Sequence, residues 1–324
     1  MRLLDGTALL PRGPGALRVG FDRERGIELT GLEESDLAAL RSLVRAGPGL
    51  LPAHLALRLR AAGLLVGPAA RTRLALRVEG FDPVSFAVVD MLVDALDLSL
   101  EVRTPARVGR DLAALLGADS FGSPIPRVLA QRLARRASSL RLVELARPDL
   151  VLIAGSYAPE PGALGTLVVE DLPHLPVLAV ERGYELGPLV VPGRGPCWSC
   201  LTRARAESDP FDALDRSKAA AGTQSPPSAL ARTSAALEIA RMLMEFAHHR
   251  AGDDRASSRR SAEDGEPGIE HAPHRATAPG GDPLSGIGEL LRIDEFGAVA
   301  RTRVRAHASC GCGADALLTS TLGA

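Results

Sequence analysis

Two close pairs of cysteines constrain the fold of this chain more than any other feature. Cys197 and Cys200 lie in the segment GPLVVPGRGPCWSCL, residues 187–201, and Cys310 and Cys312 lie in SCGC near the C-terminus. The chain has no other cysteine. Cysteines with such short spacings on glycine-containing turns are typical ligands of one tetrahedral zinc ion. The pairs therefore predict a structural zinc site that joins the C-terminus to the middle of the chain.

Three other interpretations of the cysteines stay open at the level of sequence. A Cys-x-x-Cys pair at a helix N-terminus is typical of redox proteins, whereas Pro196 and Trp198 predict a loop around this pair. The four thiols could instead be unconnected, or His307 could replace one cysteine as a ligand. Structural disulfides are not expected, because the N-terminus lacks the pattern of a signal peptide and predicts a cytoplasmic protein.

The composition argues against two broad classes of protein. No apolar run reaches the roughly 18 residues that a membrane-spanning helix needs, so we expect no membrane partner. The formal net charge of −1 argues against a protein that coats nucleic acid. Hydrophobic residues make up 46% of the chain and aromatic residues only 3%, which predicts a sizeable core of Leu, Val and Ala.

Residues 1–70 predict a small module with the order strand, strand, helix, helix, strand. Two short alternating runs joined by a charged turn predict a hairpin, and the spacing of Thr30 and Glu33 predicts a capping box. This order is winged-helix-like, and an N-terminal extension packed on a larger domain fits it equally. Strands are expected at 16–22, 26–30 and 64–66, and helices after Glu33 and at 53–63.

Residues 71–324 alternate predicted strands and helices, the pattern of an α/β domain with a doubly wound, mostly parallel Rossmann-like sheet. The run PDLVLIAGS, residues 148–156, is almost continuously apolar, as expected for a strand covered on both faces. A long amphipathic helix is predicted over 227–249, and the polar segment 250–286 is expected to be a disordered insert. Other strands are expected at 72–80, 98–104, 175–182, 186–191 and 298–306, and other helices at 83–96 and 126–137.

The order of these elements and the segment 187–201 resemble the ThiF/MoeB-like family, which is related to ubiquitin-activating enzymes. In that family, late strands lead to a Pro-Gly turn and a Cys-x-x-Cys, a long helix follows, and a second cysteine pair completes a zinc site. With residues 1–70 in front, the chain looks like the ThiF-like proteins of thiazole/oxazole-modified peptide biosynthesis. The resemblance implies a module that binds the leader segment of a precursor peptide, a YcaO-type partner enzyme that uses the ATP, and a homodimer.

The resemblance also implies where a nucleotide would bind, and the residues there differ from the family. Family members adenylate a carboxylate at a Gly-rich turn after the first strand, where backbone N–H groups meet phosphate. Here Gly80 is followed by Phe81 and by Pro83, which has no N–H to donate. Only Glu101 corresponds to the acid that holds the ribose, and the Mg-binding aspartate is missing from IAGSY, residues 153–157. We therefore expect neither ATP binding nor adenylation.

Together these observations predict a non-catalytic ThiF-like scaffold that captures a precursor peptide for a partner enzyme. The peptide would add as a strand to a sheet edge of the N-terminal module. Two alternatives stay open, an ATP-dependent adenylyltransferase with a rebuilt nucleotide pocket and a zinc-containing winged-helix DNA-binding protein. The expected peptide contacts, which would serve equally as the core of the module, are Ile27, Leu29, Leu55 and Leu59.

Overall fold

The structure, a computed structural model, divides into two compact units, residues 1–71 and residues 72–324. Each unit has its own hydrophobic core, and each is described separately below. None of the described helices is both long enough and apolar enough to cross a membrane. The residues that the structure describes are 2–4, 6–23, 26–46, 49–66, 71–133, 140–160, 162–222, 226–263, 284 and 286–312.

The first unit contains two small antiparallel sheets and two helices. Its elements are β1 (Arg2–Leu3), β2 (Leu9–Gly13), β3 (Ala16–Val19), β4 (Ile27–Leu29), α1 (Glu34–Ala46), α2 (Ala53–Ala61) and β5 (Leu65–Val66). Strand β3 pairs with β4 so that Leu17 lies opposite Leu29, which confirms the predicted hairpin. Strand β2 extends this sheet on the other side of β3, and β1 pairs with β5. The sequence did not predict β1 or β2, and the winged-helix-like description stays a prediction.

Helix α1 is capped differently from the prediction. The backbone N–H groups of Asp36 and Leu37 both donate to the carbonyl of Glu33, so Glu33 and not Thr30 precedes the helix. The Asp36 carboxylate accepts a hydrogen bond from the Glu33 N–H at 3.3 Å. A side chain in the first turn thus satisfies the N–H before the helix, which is one half of a capping box. The predicted Thr30–Glu33 box is wrong.

The second unit is built on one eight-stranded sheet with the order β13-β12-β11-β10-β9-β6-β7-β8. Strands β8, β7, β6, β9 and β10 run parallel, and β11, β12 and β13 are antiparallel additions. The predicted α/β class with a mostly parallel sheet is therefore confirmed. The strands are β6 (Arg73–Glu79), β7 (Asp97–Arg103), β8 (Leu140–Leu142), β9 (Leu150–Ser156), β10 (His174–Val180), β11 (Gly183–Leu186), β12 (Glu289–Ile293) and β13 (Val299–Arg303).

Helices cover both faces of the parallel half of this sheet. The α-helices in the described part of this unit are α3 (Pro83–Ala95), α4 (Arg110–Leu116), α5 (Ile125–Leu133), α6 (Ala163–Val169), α7 (Trp198–Ser208), α8 (Asp212–Ala221) and α9 (Ala229–Glu263). Strand β9 shows why its sequence is continuously apolar. Leu150 and Leu152 belong to the core formed with α3 and α9. Val151 and Ile153 pack with Leu167 of α6 in a separate cluster, so both faces of β9 are buried.

Helix α9 is longer than the sequence predicted, because it continues to Glu263 and spans 35 residues. The prediction that residues 250–263 are disordered is wrong. This segment is rich in Ala, Arg and Ser and contains one glycine and no proline, so nothing in it forces the helix to end. Arg250 also forms an ion pair with Asp149 at 2.9 Å, which ties the helix to the base of β9. The rest of the predicted insert, except for residues 284 and 286, lies outside the described residues.

Candidate functional site

The four cysteine Sγ atoms come together from two distant segments and all lie within 4.8 Å of one another. Their separations are 4.0 Å for Cys197–Cys200, 3.6 Å for Cys197–Cys310 and 3.6 Å for Cys200–Cys312. Zinc–sulfur bonds of about 2.3 Å at tetrahedral angles place the sulfurs about 3.8 Å apart. The cluster therefore has the donor set and the dimensions of a tetrahedral zinc site.

The first cysteine pair lies at the start of a helix and not on a loop. Cys197 is the N-cap of α7, and Cys200 is buried within its first turn. The predicted loop is wrong, and a helix N-terminus is where a redox pair would lie. The distances nevertheless favour a shared site, because Cys197 and Cys200 each lie closer to a cysteine of the second pair than to each other.

The second pair is presented by a short turn that His307 stabilises. The Cys310 N–H donates to the His307 carbonyl at 2.8 Å. The His307 ring contacts Glu207 through Nε2 at 2.9 Å, and its Nδ1 accepts the Ser309 N–H at 3.2 Å. Both ring nitrogens thus have partners outside the cluster, and the His307 ring orders the turn.

The thiols of this cluster lie in an apolar setting that includes Val190. Burial raises the pKa of Cys200, and it raises the pKa of Cys310 to about 12. At neutral pH without metal these thiols are protonated. Metal binding would therefore release protons, and the bound cation would stabilise the thiolates.

The position that the resemblance implies for a nucleotide lies at the carboxyl ends of β6 and β9, which are neighbours in the sheet. Strand β6 pairs with β7 on one side and with β9 on the other, so their carboxyl ends mark the switch point where open α/β sheets bind ligands. Gly80 has a φ of +70°, and a Cβ on it would lie 2.4 Å from the Ala154 carbonyl oxygen. Only glycine therefore fits at this turn without a shift of the backbone.

The N-terminus of α3 at this switch point is already occupied by an acid. The Asp82 carboxylate accepts hydrogen bonds from the Ser85 N–H at 2.9 Å and from the Ser85 hydroxyl at 2.7 Å. Pro83 occupies the first position of the helix. Burial raises the pKa of Asp82 above its ordinary value. Asp82 was not among the residues predicted at this position, which were Gly80, Phe81 and Pro83, although Asp-Pro before a helix is a recognisable N-cap signal.

The carboxylates near the expected ribose and magnesium positions have structural partners. Glu101 is buried in the middle of β7 and accepts hydrogen bonds from Arg77 at 2.8 Å and Arg103 at 2.7 Å. Burial acts to raise the pKa of Glu101, but the two guanidinium groups outweigh it and hold the pKa below its ordinary value. Asp149 accepts the Ala75 N–H at 2.8 Å and pairs with Arg250. Both acids stabilise the sheet and its surroundings.

The predicted peptide contacts lie in and against the core of the first unit. Leu29, Leu55 and Leu59 are fully buried, and Ile27 packs against the same cluster. These side chains support β4 from within. Strand β4 is the outermost strand of its sheet within the described part of this unit. The outer edge of β4 therefore consists of backbone groups that no described strand pairs with. One of these groups, the Glu28 carbonyl, accepts a hydrogen bond from Arg58 at 2.8 Å.

A cleft in the second unit was not predicted. It has a volume of about 900 Å³ and lies between α8 and the hairpins β10–β11 and β12–β13. Its floor contains Glu185, which is 5% exposed and contacts Arg205 at 2.9 Å, Arg216 at 2.9 Å and Arg292 at 3.0 Å. Burial acts to raise the pKa of Glu185, but the three guanidinium groups keep it below its ordinary value. The sequence signal that could have pointed to this cleft is Glu185, an acid within the short strand β11.

Comparisons with known proteins give matches to solved structures only, since no family model and no curated protein matches the sequence. E. coli MccB with AMPCPP and SeMet MccA has a TM-score of 0.56 and 11% identity, covering 97% of this chain and 99% of that chain. Microcin C7 biosynthetic enzyme MccB in complex with N-formylated MccA has a TM-score of 0.53 and 12% identity, covering 96% and 99%. A heterocyclase in complex with substrate and cofactor has a TM-score of 0.52 and 14% identity, covering 99% of this chain and 40% of that chain.

This likeness is one of fold. MccB is ThiF/MoeB-like, and the match extends over nearly the whole of both chains. The fold that the sequence resemblance implied is therefore confirmed, including a counterpart for the N-terminal unit.

Proposed function

We propose that this chain is a ThiF-like scaffold that binds a precursor peptide, holds a structural zinc ion and has lost adenylation. The observation that carries the proposal is the Asp82 carboxylate at the N-terminus of α3. A helix N-terminus at a switch point is the place where this kind of fold receives phosphate. In this chain the same N–H groups serve a carboxylate of the protein itself.

The electrostatic penalty on a phosphate at this position is large. To vacate it, Asp82 would have to give up its cap hydrogen bonds, which contribute about 1 kcal/mol in typical helices. If Asp82 stayed in its ionised form, two unit charges about 4 Å apart would repel by about 4 kcal/mol at an effective dielectric constant of about 20. The first cost would weaken ATP binding about fivefold and the second about a thousandfold.

The zinc ion of this proposal would be bound by Cys197, Cys200, Cys310 and Cys312. Four thiolates complete a tetrahedral shell and leave no open position for substrate or water. The ion would therefore be structural, and its role would be to hold the turn at 307–312 against α7. The protein could serve as a platform without any chemistry at the metal.

Peptide binding by this chain is proposed from two observations together. Its fold resembles that of MccB solved with MccA and of a heterocyclase solved with substrate. Its first unit presents β4 as an outermost strand, backed by a tightly buried core. An extended peptide can pair with such an edge through backbone hydrogen bonds. Arg58, which now bonds the Glu28 carbonyl, would compete with the incoming strand for that acceptor.

Titration calorimetry with Mg-ATP tests the loss of adenylation. We expect no binding at millimolar nucleotide, because the Asp82 side chain occupies the N-terminus of α3 and Pro83 has no N–H to donate. E. coli MccB measured in the same buffer is the positive control, since it has been solved with ATP. Micromolar binding of Mg-ATP by this chain would overturn the proposal and favour an adenylyltransferase with a rebuilt pocket.

Hydrogen exchange tests the peptide site. Peptides selected on the full chain from a random displayed library should protect the amides of residues 26–30. Arg58→Ala should bind them roughly 2- to 10-fold more tightly, because the freed Glu28 carbonyl gains one net hydrogen bond with the peptide. Arg60→Ala, the same change on the same helix, is the matched control and should leave the affinity unchanged. Protection confined to other residues would refute binding at β4.

A further inference from the structure

The cysteine cluster can be reached from one side of the second unit. A cavity of about 210 Å³ lies between α6 and the start of α7, and its walls include Cys197, Cys310 and Cys312. Cys310 and Cys312 are half-buried, whereas Cys197 and Cys200 are buried. A small molecule from solution therefore meets the sulfurs of the second pair first.

The other walls of this cavity suit a small, uncharged molecule. Arg203 carries the only charge among the described residues that line it, and its guanidinium group donates a hydrogen bond to the Ser309 hydroxyl at 3.4 Å. The volume is several times the roughly 30 Å³ that a water molecule occupies in the liquid. Hydrogen peroxide, which is only slightly larger than water, therefore has room beside the sulfurs. The apolar part of the wall comes from Leu164, Gly165, Val168 and Trp198.

The sulfurs of the first pair lie closest to sulfurs of the second. The Sγ atoms are 3.6 Å apart for Cys197 and Cys310 and 3.6 Å apart for Cys200 and Cys312. Within the first pair, Cys197 and Cys200 are 4.0 Å apart. A disulfide needs its sulfurs to approach to about 2.0 Å. The bonds that require the least movement of α7 therefore join the two segments.

The other possible pairing, within each close pair, is opposed by geometry. It requires a disulfide inside Cys310–Gly311–Cys312, and a ring of three residues rarely allows the specific geometry of that bond. It would also leave the turn at 307–312 unattached to α7. Disulfides between the segments close a loop of more than one hundred residues, and such long loops lose the most entropy in the unfolded chain. Pairing across the segments is therefore favoured.

We propose that this cluster is an oxidation site for peroxides, where loss of the zinc ion is coupled to formation of the disulfides Cys197–Cys310 and Cys200–Cys312. The inference rests on the proposed function and deepens it, because it adds regulation to the metal site. The same four sulfurs hold the C-terminal turn against α7 in both states, through the metal when reduced and through covalent bonds when oxidised.

Each disulfide consumes one molecule of hydrogen peroxide. The Cys310 thiolate attacks one peroxide oxygen, the O–O bond breaks, and a sulfenic acid and a hydroxide ion form. The Cys197 thiolate then attacks the Cys310 sulfur, the S–S bond forms and a second hydroxide ion leaves. Two protons from solvent convert both hydroxide ions to water, so the two sulfurs lose two electrons and the peroxide gains them. The same steps at Cys312 and Cys200 remove the remaining thiolates, which are the form that binds metal.

Trypsin digestion without reduction tests the pairing on the zinc-loaded full chain after treatment with hydrogen peroxide. Cleavage after arginine isolates the first cysteine pair in residues 195–203 and the second in residues 306–324. Remaining free thiols are blocked with N-ethylmaleimide before digestion. Mass spectrometry should find the two peptides joined. Separate peptides with internal disulfides, or cysteines oxidised to sulfinic acid without any disulfide, would overturn the inference.

Single variants assign the individual bonds. Cys312→Ser should form the Cys197–Cys310 disulfide and leave Cys200 free. Cys310→Ser is the matched counterpart, and it should form the Cys200–Cys312 disulfide and leave Cys197 free. Fragmentation of the joined peptides identifies each bond. A Cys197–Cys200 disulfide in either variant would overturn the inference, and the digest of the wild-type chain decides the pairing even if a variant does not fold.

Release of zinc, followed with a metal-binding dye, tests the coupling. About one zinc ion per chain should appear as two molecules of peroxide are consumed. Disulfides that form while the zinc stays bound, or zinc that leaves while the thiols stay reduced, would overturn the inference. This failure is separable from failure of the proposed function. A chain purified without zinc would contradict the proposed metal site itself, whereas a chain that holds zinc and forms no disulfide would contradict only the oxidation site.

Discussion

Glu185 should be the charged residue whose neutralisation destabilises the second unit most. Its carboxylate is 5% exposed and lies within 3.1 Å of three arginines, of which Arg205 and Arg216 are themselves 11% and 16% exposed. Glu185→Gln keeps the shape of the side chain but leaves these guanidinium groups buried without their shared anion. Removal of one partner from a buried ion pair typically costs about 3 to 5 kcal/mol.

The lower end of that range applies here for two structural reasons. Arg292 is 60% exposed, so water replaces much of what it loses. Arg216 keeps a hydrogen bond to Asp212 at 2.9 Å. Arg205 bears most of the loss, because one of its buried guanidinium nitrogens already lacks a hydrogen-bond partner among the described residues. We therefore expect a loss of about 3 kcal/mol in the free energy of unfolding.

Urea denaturation followed by tryptophan fluorescence measures this loss. Trp198 is the only tryptophan of the chain, and its ring centroid lies 5.8 Å from the Arg205 guanidinium carbon, so the signal reports on this part of the second unit. A loss of about 3 kcal/mol corresponds to a midpoint shift of about 1 M urea at an m-value of about 3 kcal/mol/M. Glu238→Gln, which removes an acid paired with Arg241 and Arg301 nearer the surface, is the matched control and should shift the midpoint by a third of this or less.

The direction of the pH effect follows from the lowered pKa of Glu185. Its stabilising contribution is present above the unfolded-state pKa, near 4.3, and is lost as the pH falls through the lower folded-state pKa. The gap between wild type and Glu185→Gln should therefore close in acid. Adding Arg205→Met should restore part of the stability, because it removes the unpaired buried cation. A loss below about 1 kcal/mol, or no rescue by Arg205→Met, would refute the reasoning.

Three further predictions concern the cysteines and the switch point. Wild-type protein should contain about one zinc per chain by elemental analysis. The double variant Cys197→Ser/Cys312→Ser should lose little more stability than either single variant. Additive losses would show that the two cysteine pairs do not share one site. Gly80→Ala should destabilise the fold by at least about 2 kcal/mol in thermal unfolding. Gly122→Ala, with a similar φ of +73° and nothing within 4 Å of an added Cβ, should cost only about 1 kcal/mol, and equal losses would argue against the contact with Ala154. Because burial raises the pKa of Asp82, its contribution to stability is present at low pH and is lost as the pH rises through the folded-state pKa. The stability of Asp82→Asn relative to wild type should therefore increase as the pH rises through that pKa. A difference in unfolding free energy that stays constant with pH would contradict this.

Much of the α/β unit could be predicted from the sequence, because the determining interactions are local or periodic. The continuous apolar run of β9 required burial on both faces, and the alternation in β6 and the 3.6-residue spacing in α3 fixed their types. The ends of elements were less predictable. Helix α9 passes residue 249 because the following composition still favours a helix and because Arg250 finds Asp149, which lies 101 residues earlier in the chain.

The cysteine spacings by themselves determined which residues could share a metal. Two cysteines this close in sequence can direct both sulfurs to one point when they lie on a tight turn or at the start of a helix. Whether the pairs meet was decided by the tertiary structure, which brings α7 and the turn at 307–312 together. The same holds for Glu185, whose three arginines come from α7, α8 and β12. It holds also for Gly80, whose restriction comes from a carbonyl on β9. Sequence patterns report forces between residues a few positions apart, whereas these sites depend on atoms that only the folded sheet brings within a few ångströms.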